Sequence, residues 1–133
     1  MKTLVGQRGL SSIGWLCVLG IAAFCLTCFF KLGPVYLDDY FVDGALLSLS
    51  KRPGVKTMTP QEIKSTINKE FTINNVRGTP TKSVVVKKTP KKILVTIEYE
   101  ERIKLFFNVD VVLSFSHMLD TTKPELCCKF VQQ

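Results

Sequence analysis

A chain of 133 residues, 46% apolar and 22% charged, is too short for several folded domains and too apolar for wholesale disorder. Its bases exceed its acids to give a formal net charge of +7. With one histidine, no phosphate-cradling glycine loop and no nucleophile elbow, the inventory excludes most enzymatic signatures.

Leu10 to Phe30 is a run of 21 residues without a charge. At about 1.5 Å per residue it crosses a hydrocarbon core of about 30 Å as a helix, which satisfies its own backbone there. A cleaved signal peptide would have a shorter apolar region and a small-x-small cleavage site, but this run ends in Cys28, Phe29, Phe30 and Lys31. No lipobox precedes Cys17 or Cys28. The run therefore reads as a transmembrane helix over 10–31. Lys2, Arg8 and the α-amino group stand before it, while only Lys31 and then Asp38, Asp39 and Asp43 follow before Lys51. The positive-inside rule then keeps residues 1–9 in the cytoplasm and, in a bacterium, places the rest in the periplasm.

Past Gly33 and Pro34 the apolar residues keep helical spacing, with Tyr36, Tyr40 and Leu47 on one line and Leu37, Phe41 and Ala45 on the next. This predicts a stalk helix continuing the anchor, kinked or briefly broken at Pro34 and closed by Pro53-Gly54. Thr59-Pro60-Gln61-Glu62 is a capping box with proline at the first helical position. Ile63, Ile67 and Phe71 then mark a short amphipathic helix over 60–71, ended by Asn74-Asn75 and Arg77-Gly78-Thr79-Pro80.

From Ser83 the period changes to two. Residues 83–88 and 93–100 read as strands joined through Thr89-Pro90, the second with Ile93, Val95, Ile97 and Tyr99 on one face and Thr96, Glu98 and Glu100 on the other. Val109, Val111, Leu113 and Phe115 alternate in a third, after a bend between Lys104 and Asn108. Residues 119–133 show no sustained period and read as a loose tail. The fold class is α+β: an N-terminal transmembrane helix extended into a stalk, a short helix, and a three-stranded antiparallel meander, with residues 32–118 as the periplasmic domain.

Few side chains carry chemistry. His117 has no Cys or carboxylate at metal-ligand spacing and reads as an exposed residue at a strand end, so neither metal nor cofactor is expected. Glu98 and Glu100 share the polar face of a strand and could form an acid/base pair, although cross-strand pairing with Arg102, Lys104 or opposing lysines is the plainer account. Lys87, Lys88, Lys91 and Lys92 put four charges on one hairpin tip, fit either for anionic headgroups or an acidic partner, or to guard strand edges from aggregation. No aromatic residues interleave with them to stack bases, so nucleic acid is not expected. Cys17, Cys25 and Cys28 lie in the anchor as small apolar fillers. Cys127 and Cys128 are adjacent, and neighbouring cysteines bridge only with strain, so a disulfide within the domain is not expected; a bond between two copies or ordinary thiols in the tail are the alternatives.

Two resemblances follow. Gly6-Gln7-Arg8-Gly9 before Leu10 to Leu16 resembles the start of a type IV prepilin, though the fifth residue after the glycine, glutamate in most pilins, is Gly14. Gln7-Arg8-Gly9 with Ile13 to Leu16, Phe71 with Ile73 to Val76, and Tyr99-Glu100 with Arg102, Leu105, Asn108 to Asp110, Leu113 and Phe115 are similar to a proteobacterial family of small membrane proteins of unknown function. Genes of that family commonly lie beside those for signal peptidase I and ribonuclease III, which implies a link with secretion or the inner membrane. The family supplies no catalytic residues.

The expectation is a non-enzymatic single-pass inner-membrane protein whose periplasmic domain binds another envelope or secretion-related protein, with self-association open. A pilin-like subunit of a filament or pseudopilus is one alternative, and a membrane-tethered enzyme using Glu98 and Glu100 another.

Overall fold

A computed structural model describes residues 11–128. The N-terminal stretch 1–10, with its prepilin-like glycine, and the last five residues lie outside them.

Helix α1 spans Ser12–Ser50, with Pro34 inside it and no break there. Of the expected kink or short break, the break is absent. Proline removes one backbone bond and crowds one carbonyl, and the unbroken turns on both sides carry the rod past it. None of the residues in its most apolar stretch is buried by the rest of the chain. The C-terminal third buries Val42, Ala45, Leu46 and Leu49, spaced as one helical face. Of the two expected lines, the one through Tyr36, Tyr40 and Leu47 is exposed, whereas Ala45 of the other is buried, Phe41 packs against the core and Leu37 is exposed. A helix apolar on several sides leaves its inward stripe undetermined until the partner surface is in place.

Gly54, at φ 83°, turns the chain into a 3₁₀ turn over Val55–Thr57. Helix α2, Pro60–Ile73, starts on the predicted capping box: the Thr59 N–H donates to Glu62 Oε2 at 2.7 Å and the Glu62 N–H donates to Thr59 Oγ1 at 3.3 Å. Ile63, Ile67 and Phe71 are buried as the spacing requires. Asn75, at φ 59°, ends the run, and a short helix α3, Thr79–Lys82, follows where the sequence predicts only turn residues.

Strands β1 (Val84–Lys88), β2 (Ile93–Phe106) and β3 (Val109–Asp120) form an antiparallel sheet in the order β1-β2-β3. Val84 stands opposite Ile97, which stands opposite His117. The core lies between one face of this sheet and helices α1 and α2, with Val95, Ile97, Tyr99 and Leu119 meeting Leu46, Ile63, Ile67 and Phe71. The second and third strands extend well past their expected ends and form a long arm.

The loose-tail expectation fails over 119–128. Leu119 is fully buried, the Ile93 N–H donates to Thr121 Oγ1 at 3.0 Å, and the Cys128 N–H donates to the Met118 carbonyl at 2.9 Å. Such hydrogen bonds leave no mark on hydrophobic periodicity, which is why the segment looks unstructured in sequence.

Candidate functional site

Two features stand out along α1. At the end far from the apolar stretch, the β1–β2 turn closes between Thr89 and Lys92, whose backbone groups exchange bonds of 2.8 and 3.3 Å. The turn brings together Lys87, Lys88, Lys91 and Lys92, all exposed. Lys88 Nζ donates to the Met58 carbonyl at 3.0 Å, and Lys92 Nζ lies 3.5 Å from Asp120 Oδ2. Hydrogen bonds from Thr122, and then Lys92, hold the Asp120 carboxyl below its usual range. Met58 follows directly on the segment carrying Lys51, Arg52 and Lys56, so the basic end is larger than the hairpin tip alone. Residues 51–92 hold eleven bases against two acids.

The second feature is a polar cluster in the middle of the domain. Asp39 Oδ1 on α1 accepts the Tyr99 hydroxyl at 3.0 Å and meets His117 Nε2 at 2.5 Å. The other ring nitrogen, Nδ1, lies 3.4 Å from both Asp43 Oδ1 and the Cys128 carbonyl. His117 is therefore buried and clamped at both nitrogens, not exposed at a strand end. Burial first, then Asp39, pushes the Tyr99 phenol up. Asp38, beside this cluster, is also raised, by burial and then by Glu101. Sequence reasoning missed the cluster because Asp39 and His117 are 78 positions apart. Only the sheet register and the helix phase together bring them into contact.

Cys127 and Cys128 are bonded to each other, with Cα atoms 3.7 Å apart. That overturns the expectation of no disulfide within the domain: the chain turns sharply here, with Cys128 at φ 79°, which brings the two sulfurs together. Cys128 is buried and its sulfur lies 3.6 Å from the Asp43 carbonyl. The bonded pair, His117 and the two aspartates thus join tail, sheet and helix. Both imidazole nitrogens face acceptors, and Cys128 carries no thiol. Among the described residues no group of three or more His, Cys, Asp or Glu is placed to hold a metal ion.

Glu98 and Glu100 are exposed on the outer face of β2, beside Thr79 and Ser83 of the α3 segment. Glu98 pairs in register with Ser116, and Glu100 accepts from Ser114 Oγ at 3.3 Å. The partner across the strand is a hydroxyl, not the expected base.

A family model described as a domain of unknown function, DUF4845, matches residues 31–115. Of the residues that carry the family resemblance, Phe71, Ile73 to Val76 and those from Tyr99 to Phe115 fall inside the match, whereas Gln7 to Gly9 and Ile13 to Leu16 precede it. No curated protein and no solved structure matches the chain.

Proposed function

The chain belongs to the DUF4845 family, and we propose that it is a non-enzymatic single-pass inner-membrane protein whose periplasmic domain binds an envelope protein through an acidic surface on that partner. The observation that carries the reading is the concentration of eleven bases against two acids within 51–92, with the exposed lysines of the β1–β2 turn at the end remote from the apolar stretch. Opposite charge across an interface speeds encounter and fixes orientation. Among the described residues α1 holds one candidate span, which fits a single-pass topology. The bases Lys2 and Arg8 favour a cytoplasmic N-terminus. The Cys127–Cys128 bond fits an oxidising compartment such as the periplasm.

The test is crosslinking in intact membranes from a photoreactive group placed at Lys91, compared with the Lys87→Glu/Lys91→Glu variant crosslinked from Thr89. A defined partner that is captured at low salt, fades at high salt and is lost on charge reversal supports the reading. Capture unchanged by both treatments sinks it.

A pilin-like subunit is the second reading, favoured by the unbroken passage of α1 from the apolar stretch into a sheet-packed domain. Mass spectrometry of the native N-terminus decides it: a methylated chain starting at Leu10 establishes the second reading, and an intact Met1 or Lys2 terminus removes it.

A further inference from the structure

Beyond Phe115 and Tyr99 the β2–β3 arm leaves the core of the domain and continues along α1 toward its apolar stretch. The Phe106 ring stacks on Phe24 at 5.6 Å between centroids. Lys31 Nζ donates to the carbonyls of Lys104 and Leu105, at 2.8 and 2.7 Å. Phe24 lies seven positions inside Lys31, so the tip of the arm sits beside residues well within the uncharged run. At about 1.5 Å per helical residue that offset is roughly 10 Å.

The chemistry of the arm changes at the same level. Lys31, Lys104 and its register partner Asp110 form a charged rung. On the anchor side of that rung stand only Leu105, Phe106, Phe107, Asn108 and Val109, none of them charged. Phe107 and Val109 are exposed, Phe107 completely. Phe107 also occupies a turn position at φ 40°, where glycine or asparagine fits better than a bulky side chain. An aromatic ring held in an unfavourable backbone conformation gains nothing from the described residues, since none of them covers it. Beside a membrane-spanning helix, burial of the ring in lipid supplies that gain.

We propose that the tip of the β2–β3 arm, Leu105 to Val109, is a second membrane contact, inserted beside the anchor on the periplasmic leaflet with Phe107 among the acyl chains. The inference rests on α1 being a membrane span. With lipid against both, the arm and α1 make a two-point attachment that fixes the height and rotation of the domain over the bilayer. The charged rung stays at headgroup level, where lysine and aspartate keep their hydration. Phe106 pairs with Val109 across a two-residue turn, so few backbone groups enter lipid without a partner.

The full chain is reconstituted in phosphatidylcholine vesicles with acyl chains brominated at successive depths, and tryptophan emission is read. Wild-type protein reports Trp15 in the span. The Trp15→Phe/Phe107→Trp variant reports the tip, and Trp15→Phe/Thr89→Trp the remote lysine turn. Because none of the described residues packs on Phe107, the tip variant leaves the fold untouched, which circular dichroism verifies. The expected result is blue-shifted emission and strong quenching from position 107, greatest with bromines near the headgroup end of the chain, and no quenching from position 89. Unquenched, red-shifted emission at 107 with Trp15 still quenched overturns the arm insertion and leaves the span intact. Unquenched Trp15 overturns the span, and the insertion with it.

Discussion

Tyr99 of β2 donates its hydroxyl to Asp39 of α1 across 3.0 Å, in the part of the helix that has just left the apolar stretch. The same carboxylate oxygen meets His117 of β3. One aspartate therefore ties two neighbouring strands to the rod that carries them. Asp39→Ala leaves both a buried imidazole and a buried phenol short of an acceptor and is expected to cost on the order of 2 kcal/mol, whereas Tyr99→Phe removes a single bond and costs about 1 kcal/mol. Thermal unfolding followed by circular dichroism in mild detergent measures both. Equal losses for the two variants would show that His117 gains nothing from Asp39.

The raised Tyr99 phenol adds a pH dependence at the alkaline end. A group whose folded pKa lies above its ordinary value of 10.0 supports the fold fully below that value. The support fades as pH rises, because the unfolded chain releases the proton first. Wild-type stability should fall more steeply than that of Tyr99→Phe above about pH 10. Parallel curves would show that the phenol is not protected.

Asp38 behaves in the opposite sense to a paired carboxylate. Burial and the neighbouring Glu101 raise it, so its charged form is disfavoured in the folded state, and stability is lost as pH rises from 3.8 through the raised value. Asp38→Asn is expected to raise the melting temperature at pH 7 and to lose that advantage in acid, where the native carboxyl is already neutral. A lower melting temperature at pH 7 would mean that Asp38 has a favourable partner.

The helix α1 face separates two readings of one sequence. Leu46 is fully buried and Tyr40 exposed. Leu46→Ala should cost about 2 to 5 kcal/mol, the range for an aliphatic cavity in a core, while Tyr40→Ala stays within about 0.5 kcal/mol. Reversed values would place the inward stripe on the tyrosine line, one of the two that simple spacing suggests.

What was legible in the sequence was whatever a short window encodes. The capping box at Thr59 and Glu62, the stripe of Ile63, Ile67 and Phe71, and the alternation from Ile93 to Tyr99 all reappear with their expected partners and faces. Features that depend on two distant segments were not legible. His117 is buried against Asp39 and Asp43, and Cys128 against Met118 and Asp43, and neither pairing has a local signature. The arm escaped for another reason: Glu101, Arg102 and Lys104 interrupt the apolar alternation, yet main-chain pairing carries the strand through them.

The redox state of Cys127 and Cys128 tests the proposed periplasmic placement of the domain. Cys127 and Cys128 are bonded to each other, and Cys17, Cys25 and Cys28 are free thiols in α1. A thiol pair exported to an oxidising compartment stays bonded, while the same pair facing the cytosol is kept reduced. Protein denatured and alkylated directly from acid-quenched cells should therefore carry three labels per chain, rising to five after reduction. The two additional labels should map to the peptide containing Cys127 and Cys128. Five labels without reduction would place the C-terminal domain on the cytoplasmic side, and the proposed periplasmic partner would then be untenable, whatever the lysine turn contributes.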